Sequence, residues 1–164
     1  MTELNGAQVI LKMLELHGVK HVFGLPGETT IGWYKEWRQH SNIEYVLTRD
    51  ERTASYAAEA YAKVTGRPSV LEAPSPGVTH CSPGITEAFL SSVPIIYFSS
   101  DIPFNQDKKH GLTGVDQTAL YDSICKESFV VTAVKDIPFL LRRAFRVATS
   151  VRPAPVHIRV PINI

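Results

Sequence analysis

Short apolar runs alternate with helix-length segments along the whole chain, and this alternation limits the fold more than any single motif does. Apolar, strand-like runs fall at 21–23, 43–47, 69–72, 93–98, 129–132 and 156–160. Between them lie segments with helical spacing. The first opens at Asn5, an N-cap whose partner three positions on, Gln8, completes a capping box, and it closes at Gly18. A weaker helix over about 29–39 carries Trp33, Tyr34 and Trp37. A third, over about 51–64, sets Ala54, Ala57, Ala58, Tyr61 and Ala62 on one side. Small residues on a helix face allow close approach to a sheet or to another helix. Further helices are predicted over 79–90, with an irregular first turn at Pro83-Gly84, and around 117–123. The clearest is the last, capped by Asp136, with Ile137, Leu140, Leu141, Ala144, Phe145 and Ala148 at helical spacing. The run at 93–98 is continuously apolar, as expected of a strand covered on both faces. Strands joined by helices of this length require right-handed crossovers and a parallel sheet. The expectation is therefore an α/β, three-layer doubly wound domain, with a mainly parallel central sheet of about six strands and helices on both faces.

The length of 164 residues predicts one domain spanning 1–164, large enough to bury roughly two-thirds of its unfolded surface. Lys and Arg number 17 against 16 Asp and Glu, without long basic runs, which argues against a nucleic-acid partner held by phosphate neutralisation. Cys81 and Cys125 have no CxxC or Cys/His ligand spacing and fit a reduced, cytoplasmic protein better than a disulfide scaffold or a metal site. The N-terminal stretch lacks signal-peptide character, and no apolar run is long enough to span a membrane, so no membrane association is expected.

In an open parallel sheet, ligands bind outside the carboxyl ends of the strands. Four segments fall there: 25–28, 49–51, 75–77, and 99–101 with the polar loop that follows, over 100–116. Glycine and proline concentrate in the first and third. Strand-to-helix turns need such residues anyway, but their convergence on one rim points to a ligand site. The rim contains neither GxGxxG nor GxxxxGK[ST], so a nucleotide phosphate cradle is not expected. Glu51 begins its helix. An acidic residue there complements the helix dipole, worth about 0.3–1 kcal/mol, and can equally serve as a fixed acceptor for a ligand; the residues alone leave both readings open. His80, and His110 in the loop, are the histidines near the rim, with capping or surface roles as the default. Trp33, Tyr34 and Trp37 read as packing or a subunit contact. No nucleophile elbow and no metal-ligand spacing occurs.

Several stretches nevertheless stand together in order: Gly6-Ala7-Gln8, Val22-Phe23-Gly24-Leu25-Pro26-Gly27, Arg49-Asp50-Glu51, then Ala57-Ala58-Glu59-Ala60-Tyr61-Ala62. Ser75-Pro76-Gly77-Val78-Thr79, Ser92-Val93-Pro94, Gln117, Arg152-Pro153-Ala154-Pro155-Val156 and Val160-Pro161 continue the series. Over about residues 4–164 this resembles the N-terminal pyrimidine-binding domain of thiamine diphosphate enzymes, acetolactate synthase-like enzymes above all. The resemblance implies that Glu51 is the catalytic glutamate, hydrogen-bonding N1′ of the aminopyrimidine and favouring its imino tautomer, so that the cofactor can act as electron sink for decarboxylation of a 2-oxo acid. It implies that Leu25, Pro26 and Gly27 lie along the pyrimidine, that Pro76 and His80 stand near the ring, and that Gln117 faces the substrate. A carboxylate held in a dry cleft beside a ring nitrogen is the physical requirement.

The departures matter as well. Where the family usually has His-Glu, Gly-Pro-Gly, an asparagine and an aromatic residue, this chain has Asp50-Glu51, Ser75-Pro76-Gly77, His80 and Asp116. A different 2-oxo acid, or other decarboxylase or carboligase chemistry, is thus as compatible with it as acetolactate synthesis. The Gly-Asp-Gly…Asn motif, with which the family holds the diphosphate and its Mg²⁺, does not occur in these residues. The resemblance then implies a partner, a diphosphate-binding domain or subunit that brings Mg²⁺, and a chain incomplete without it. Its uncovered faces predict self-association into a dimer or tetramer. The end after Pro161-Ile162-Asn163-Ile164 suits an excised domain better than a separately encoded small subunit, with both open. The alternative from another class is a non-catalytic binding or regulatory module; the four departures favour it, and the retained Glu51 disfavours it.

Overall fold

The computed structural model describes residues 4–40, 42–106 and 113–164. Six parallel strands form one sheet: β1 (His21–Gly24), β2 (Glu44–Leu47), β3 (Ser69–Ala73), β4 (Ile95–Asp101), β5 (Glu127–Val130) and β6 (Val156–Pro161). Their spatial order is β2-β1-β3-β4-β6-β5. The helices are α1 (Gly6–Leu16), α2 (Ile31–His40), α3 (Glu51–Thr65), α4 (Ser82–Leu90), α5 (Gln117–Tyr121) and α6 (Ile137–Thr149). The expected three-layer parallel α/β architecture is what the chain adopts.

Alternation along β4 divides the core in two. Ile96 and Phe98 face α1, α2 and α6, packing with Ile10, Leu14, Trp37, Leu141 and Phe145. Ile95 and Tyr97 face α3 and α4, packing with Ala54, Ala58, Ala62 and Ile85. The alanine face of α3 is buried against β1 and β3, and α3 also lies along α4, as its small residues allow. Phe98 is fully buried, and burying a side chain of that size contributes about 1.5–3 kcal/mol. The α2 aromatics are packing residues. Trp33 stands edge-on to Phe98 at 5.4 Å, Tyr34 meets Tyr45, and Trp37 Nε1 donates to the Ile43 carbonyl at 3.2 Å.

The α1 capping box forms as read: the Gln8 amide donates to Asn5 Oδ1 at 2.9 Å, and the Asn5 amide to Gln8 Oε1 at 3.2 Å. Asp136 departs from expectation. It ends a 3-10 turn with φ −85° and ψ −19°, and its side chain makes no cap bond; a capping side chain needs an extended backbone at that position. The fourth strand also runs further than its apolar stretch, through Ser99, Ser100 and Asp101, the last two of which fall in the polar loop expected over 100–116. These residues pair in register with Arg159, Val160 and Pro161 of β6. Their polarity is met by buried partners, among them Arg159, whose Nε donates to Asp101 Oδ2 at 2.5 Å.

Candidate functional site

The turns after β1, β2 and β3 converge at the carboxyl edge of the sheet. Asp50, extended at φ −157° and ψ 160°, caps α3: Oδ1 accepts from the Thr53 amide at 2.7 Å and Oδ2 from its hydroxyl at 3.0 Å. Those two bonds, the amide first, hold the Asp50 carboxyl below its ordinary range. With the cap supplied by Asp50, the next residue is released from that task. Glu51 turns inward, 8 % exposed, toward the 3-10 turn Gly77–Cys81. Its Oε2 lies 3.1 Å from His80 Nδ1. Its Oε1 lies where Gly77 has only hydrogen, because a Cβ on Gly77 would stand 2.0 Å from that oxygen. Glycine at 77 is therefore a requirement of the carboxylate's position.

The turn that carries Gly77 and His80 is held from below. The Val78 amide donates to the Pro74 carbonyl at 2.8 Å, and the Thr79 amide to the Pro76 carbonyl at 3.1 Å. The Tyr121 hydroxyl donates to the Val78 carbonyl, as does Tyr97 at 3.3 Å. Burial, foremost, pushes both phenols above their ordinary range, so they remain donors.

Leu25, Pro26 and Gly27, in the turn after β1, are half-buried. Gly27 sits against Pro74, where a Cβ would come within 2.6 Å of the proline Cβ. Pro76 and His80 are exposed. Thr29, which sequence reasoning did not single out, ties the turns after β1 and β3 to the end of β4. Its hydroxyl oxygen accepts from the Ser75 amide at 3.1 Å and lies 2.6 Å from the Ser100 hydroxyl, while neighbouring Thr30 takes the Gly27 amide at 2.8 Å. A surface cavity of about 430 Å³, lined by Asp50, Arg52, Thr79, His80 and Pro83, opens beside the Glu51–His80 pair.

Gln117 occupies a different environment. It is fully buried, its Oε1 accepting from the Ser99 hydroxyl and its Nε2 donating to the Ser100 carbonyl at 3.0 Å. The Ser99 hydroxyl in turn meets His157 Nε2 at 2.6 Å, and His157 Nδ1 meets the Ser128 hydroxyl at 2.7 Å. Because the glutamine oxygen can only accept, Ser99 donates to it, so His157 must donate from Nε2 and accept at Nδ1 from Ser128. Burial first, and the charge of Arg159 second, push the His157 ring down to about 3, which keeps it neutral as this chain requires. His157 lay within an apolar strand pattern and carried no sequence signal. His110 lies outside the described residues.

Glu72 was missed for the same reason. It is 2 % exposed near the end of β3, accepts a hydrogen bond from the Tyr45 hydroxyl, and has its carboxyl pushed up to about 8, chiefly by burial. It is therefore largely protonated at pH 7, behind the turn that holds Gly27. Among the described residues no group of three or more His, Cys, Asp or Glu side chains could hold a metal ion.

Comparison with known proteins identifies the family. The family described as "Thiamine pyrophosphate enzyme, N-terminal TPP binding domain" matches residues 4–120. A probable acetolactate synthase large subunit of Methanocaldococcus jannaschii is 34% identical over 162 residues, 98% of this chain and 27% of that protein. The acetolactate synthase large subunit of Haemophilus influenzae is 33% identical over 98% of this chain and 28% of its own length. The chloroplastic acetolactate synthase of Arabidopsis thaliana is 35% identical over 97% of this chain and 24% of its own. The chain thus spans less than a third of the length of these relatives. With the family match covering residues 4–120 and these relatives aligned over nearly the whole chain, the chain belongs to the thiamine pyrophosphate enzyme family, as an N-terminal TPP-binding domain homologous to acetolactate synthase large subunits.

Proposed function

We propose that this chain is the pyrimidine-binding half of a thiamine diphosphate-dependent 2-oxo acid decarboxylase or carboligase of acetolactate synthase-like type. The observation that carries the reading is the placement of Glu51. Its carboxylate is nearly buried, set beside the Gly77 backbone and fixed by His80 at 3.1 Å. The residues fit an aminopyrimidine edge: a nearly buried carboxylate can accept from a ring N–H, and the turn residues Leu25, Pro26, Gly27 and Pro76 on the same rim are assigned to the ring. When bound, thiamine diphosphate supplies the electron sink for decarboxylation of a 2-oxo acid.

Glu51 accepts the ring N–H and holds or releases a proton at a carboxylate oxygen. Leu25, Pro26, Gly27 and Pro76 orient the ring and exclude water from it, which strengthens the carboxylate's hydrogen bond. His80 keeps the Glu51 carboxylate in place. Gln117, expected on the substrate side, is fully buried with its amide engaged by Ser99 and Ser100, so in this reading it braces the end of β4 rather than touching substrate. The diphosphate and Mg²⁺ are assigned to a partner domain or subunit, which the greater length of the relatives supports. Assembly into a homo-oligomer, dimer or tetramer, would complete the cleft. Among the described residues no helix is long and apolar enough to cross a membrane, and Cys81 and Cys125 are buried free thiols, which supports a reducing, cytoplasmic setting.

The test is reconstitution. Thiamine diphosphate and Mg²⁺ are titrated with a diphosphate-binding domain present, and CO₂ release from a panel of 2-oxo acids is followed. Cofactor-dependent release supports the reading. Cofactor binding without turnover of any 2-oxo acid points instead to a binding or regulatory module.

A further inference from the structure

Glu51 is 8 % exposed, whereas the His80 side chain bonded to it is 66 % exposed and lines the cavity of about 430 Å³. We propose that His80 is the proton relay of Glu51, carrying protons between this buried carboxylate and water in the cavity. The inference rests on the reading of Glu51 as the group that holds and releases a proton, and adds the route by which that proton travels.

Hydrogen-bond direction sets the arrangement whenever Glu51 is ionised. An ionised carboxylate can only accept, so the 3.1 Å contact requires the His80 proton on Nδ1. That leaves the Nε2 lone pair on the other side of a ring whose side chain is largely exposed. Proton uptake then has two moves. A water-borne proton joins Nε2, giving an imidazolium, and the Nδ1 proton passes to Glu51 Oε2. The carboxyl is now neutral and His80 carries its proton on Nε2. Release is the same pair of moves in reverse. One proton enters and one N–H bond is exchanged for one O–H bond, so atoms and charge balance without a further reactant.

The surroundings keep this pair apart from competing groups. Asp50 has its carboxylate engaged by Thr53, and Arg52 and Thr79 stand at the cavity wall. Behind Glu51 lie Glu72, largely protonated, and the Cys81 thiol, pushed up by burial and hence un-ionised. Imidazole is the side chain that gains and loses protons in the neutral range, which a proton relay requires. His80 acts through Glu51 and is a positioning residue in that sense, with the added task of passing its proton.

The first experiment needs no cofactor. In the full chain with ¹⁵N-labelled histidine, long-range ¹H–¹⁵N correlation reads the His80 tautomer. It should be Nδ1–H in the wild type and return to the Nε2–H form usual in water in Glu51→Ala. An Nε2–H ring in the wild type beside an ionised Glu51, read from its ¹³C carboxyl shift, overturns the relay and leaves the proposed function standing. The second uses the loaded, reconstituted enzyme. His80→Asn keeps an N–H near the position of Nδ1 but cannot carry a proton, and His80→Ala leaves room for free imidazole. Both should release CO₂ roughly a hundredfold more slowly, the lower range for a lost proton-transfer group. Added imidazole should restore His80→Ala at least about tenfold and leave His80→Asn unchanged. A wild-type rate in His80→Asn, or no response of His80→Ala to imidazole, overturns the relay. Full activity in Glu51→Gln would instead overturn the function on which it rests, and the tautomer measurement stands apart from that result.

Discussion

Glu72 offers the most quantitative test of how this site is built. Its carboxyl titrates at about 8 in the folded chain, against an ordinary 4.5, with burial as the main cause. The folded state therefore holds a proton that the unfolded state gives up once the pH passes 4.5. The stability associated with Glu72 is fully present below that value and is lost progressively as the pH rises through about 8. Each pH unit across the interval costs about 1.4 kcal/mol. The full interval from 4.5 to about 8 then amounts to roughly 5 kcal/mol, with about half of it or more already lost by pH 7. Glu72→Gln keeps an acceptor for the Tyr45 hydroxyl and cannot ionise. The assay is urea unfolding of both proteins at half-unit steps from pH 5 to 9. The variant should gain on the wild type as the pH rises, by several kcal/mol in total, and the difference should level off above about pH 8. A difference that stays constant across the range would refute the assignment of a buried, protonated Glu72.

The opposite slope is expected of His157, held down to about 3 by burial. Its stability is present above its ordinary value of 6.5 and is lost as the pH falls toward 3; His157→Gln should therefore flatten the decline on the acid side in the same urea series. Gly77→Ala drives a Cβ to 2.0 Å from Glu51 Oε1. The carboxylate must move, and calorimetry on the reconstituted enzyme should find thiamine diphosphate bound roughly tenfold or more weakly, an effect of about 1.4 kcal/mol. Ala58→Leu overfills the closed face of α3, where Ala58 is fully buried. It should lower the urea stability by about 1–3 kcal/mol.

The parallel α/β fold was legible because its cues are local and periodic. The alternation of apolar runs and helices, the Asn5–Gln8 box and the alanine stripe of α3 each express a preference that packing then satisfied. The position of Glu51 at a helix start on the rim was legible too, although the residues alone did not separate a helix-dipole role from a ligand acceptor. Its contact with His80 was not, since the two residues are 29 positions apart and meet only because α3 and the Gly77–Cys81 turn converge. Ser100 and Asp101 looked like loop because their pairing with β6 is one that no local pattern encodes. Glu72 and His157 were hidden in the same way. A buried polar residue in a strand is explained by the group opposite it, here Tyr45 for one and two serines for the other.

The most direct test of the account is the rate of CO₂ release from a 2-oxo acid by Glu51→Gln in the reconstituted enzyme at saturating thiamine diphosphate and Mg²⁺. Glutamine preserves size and can still hydrogen-bond, but it cannot hold or release the proton. The account predicts a loss of at least about a hundredfold relative to wild type, with far-ultraviolet circular dichroism unchanged. A rate within twofold of wild type would contradict it.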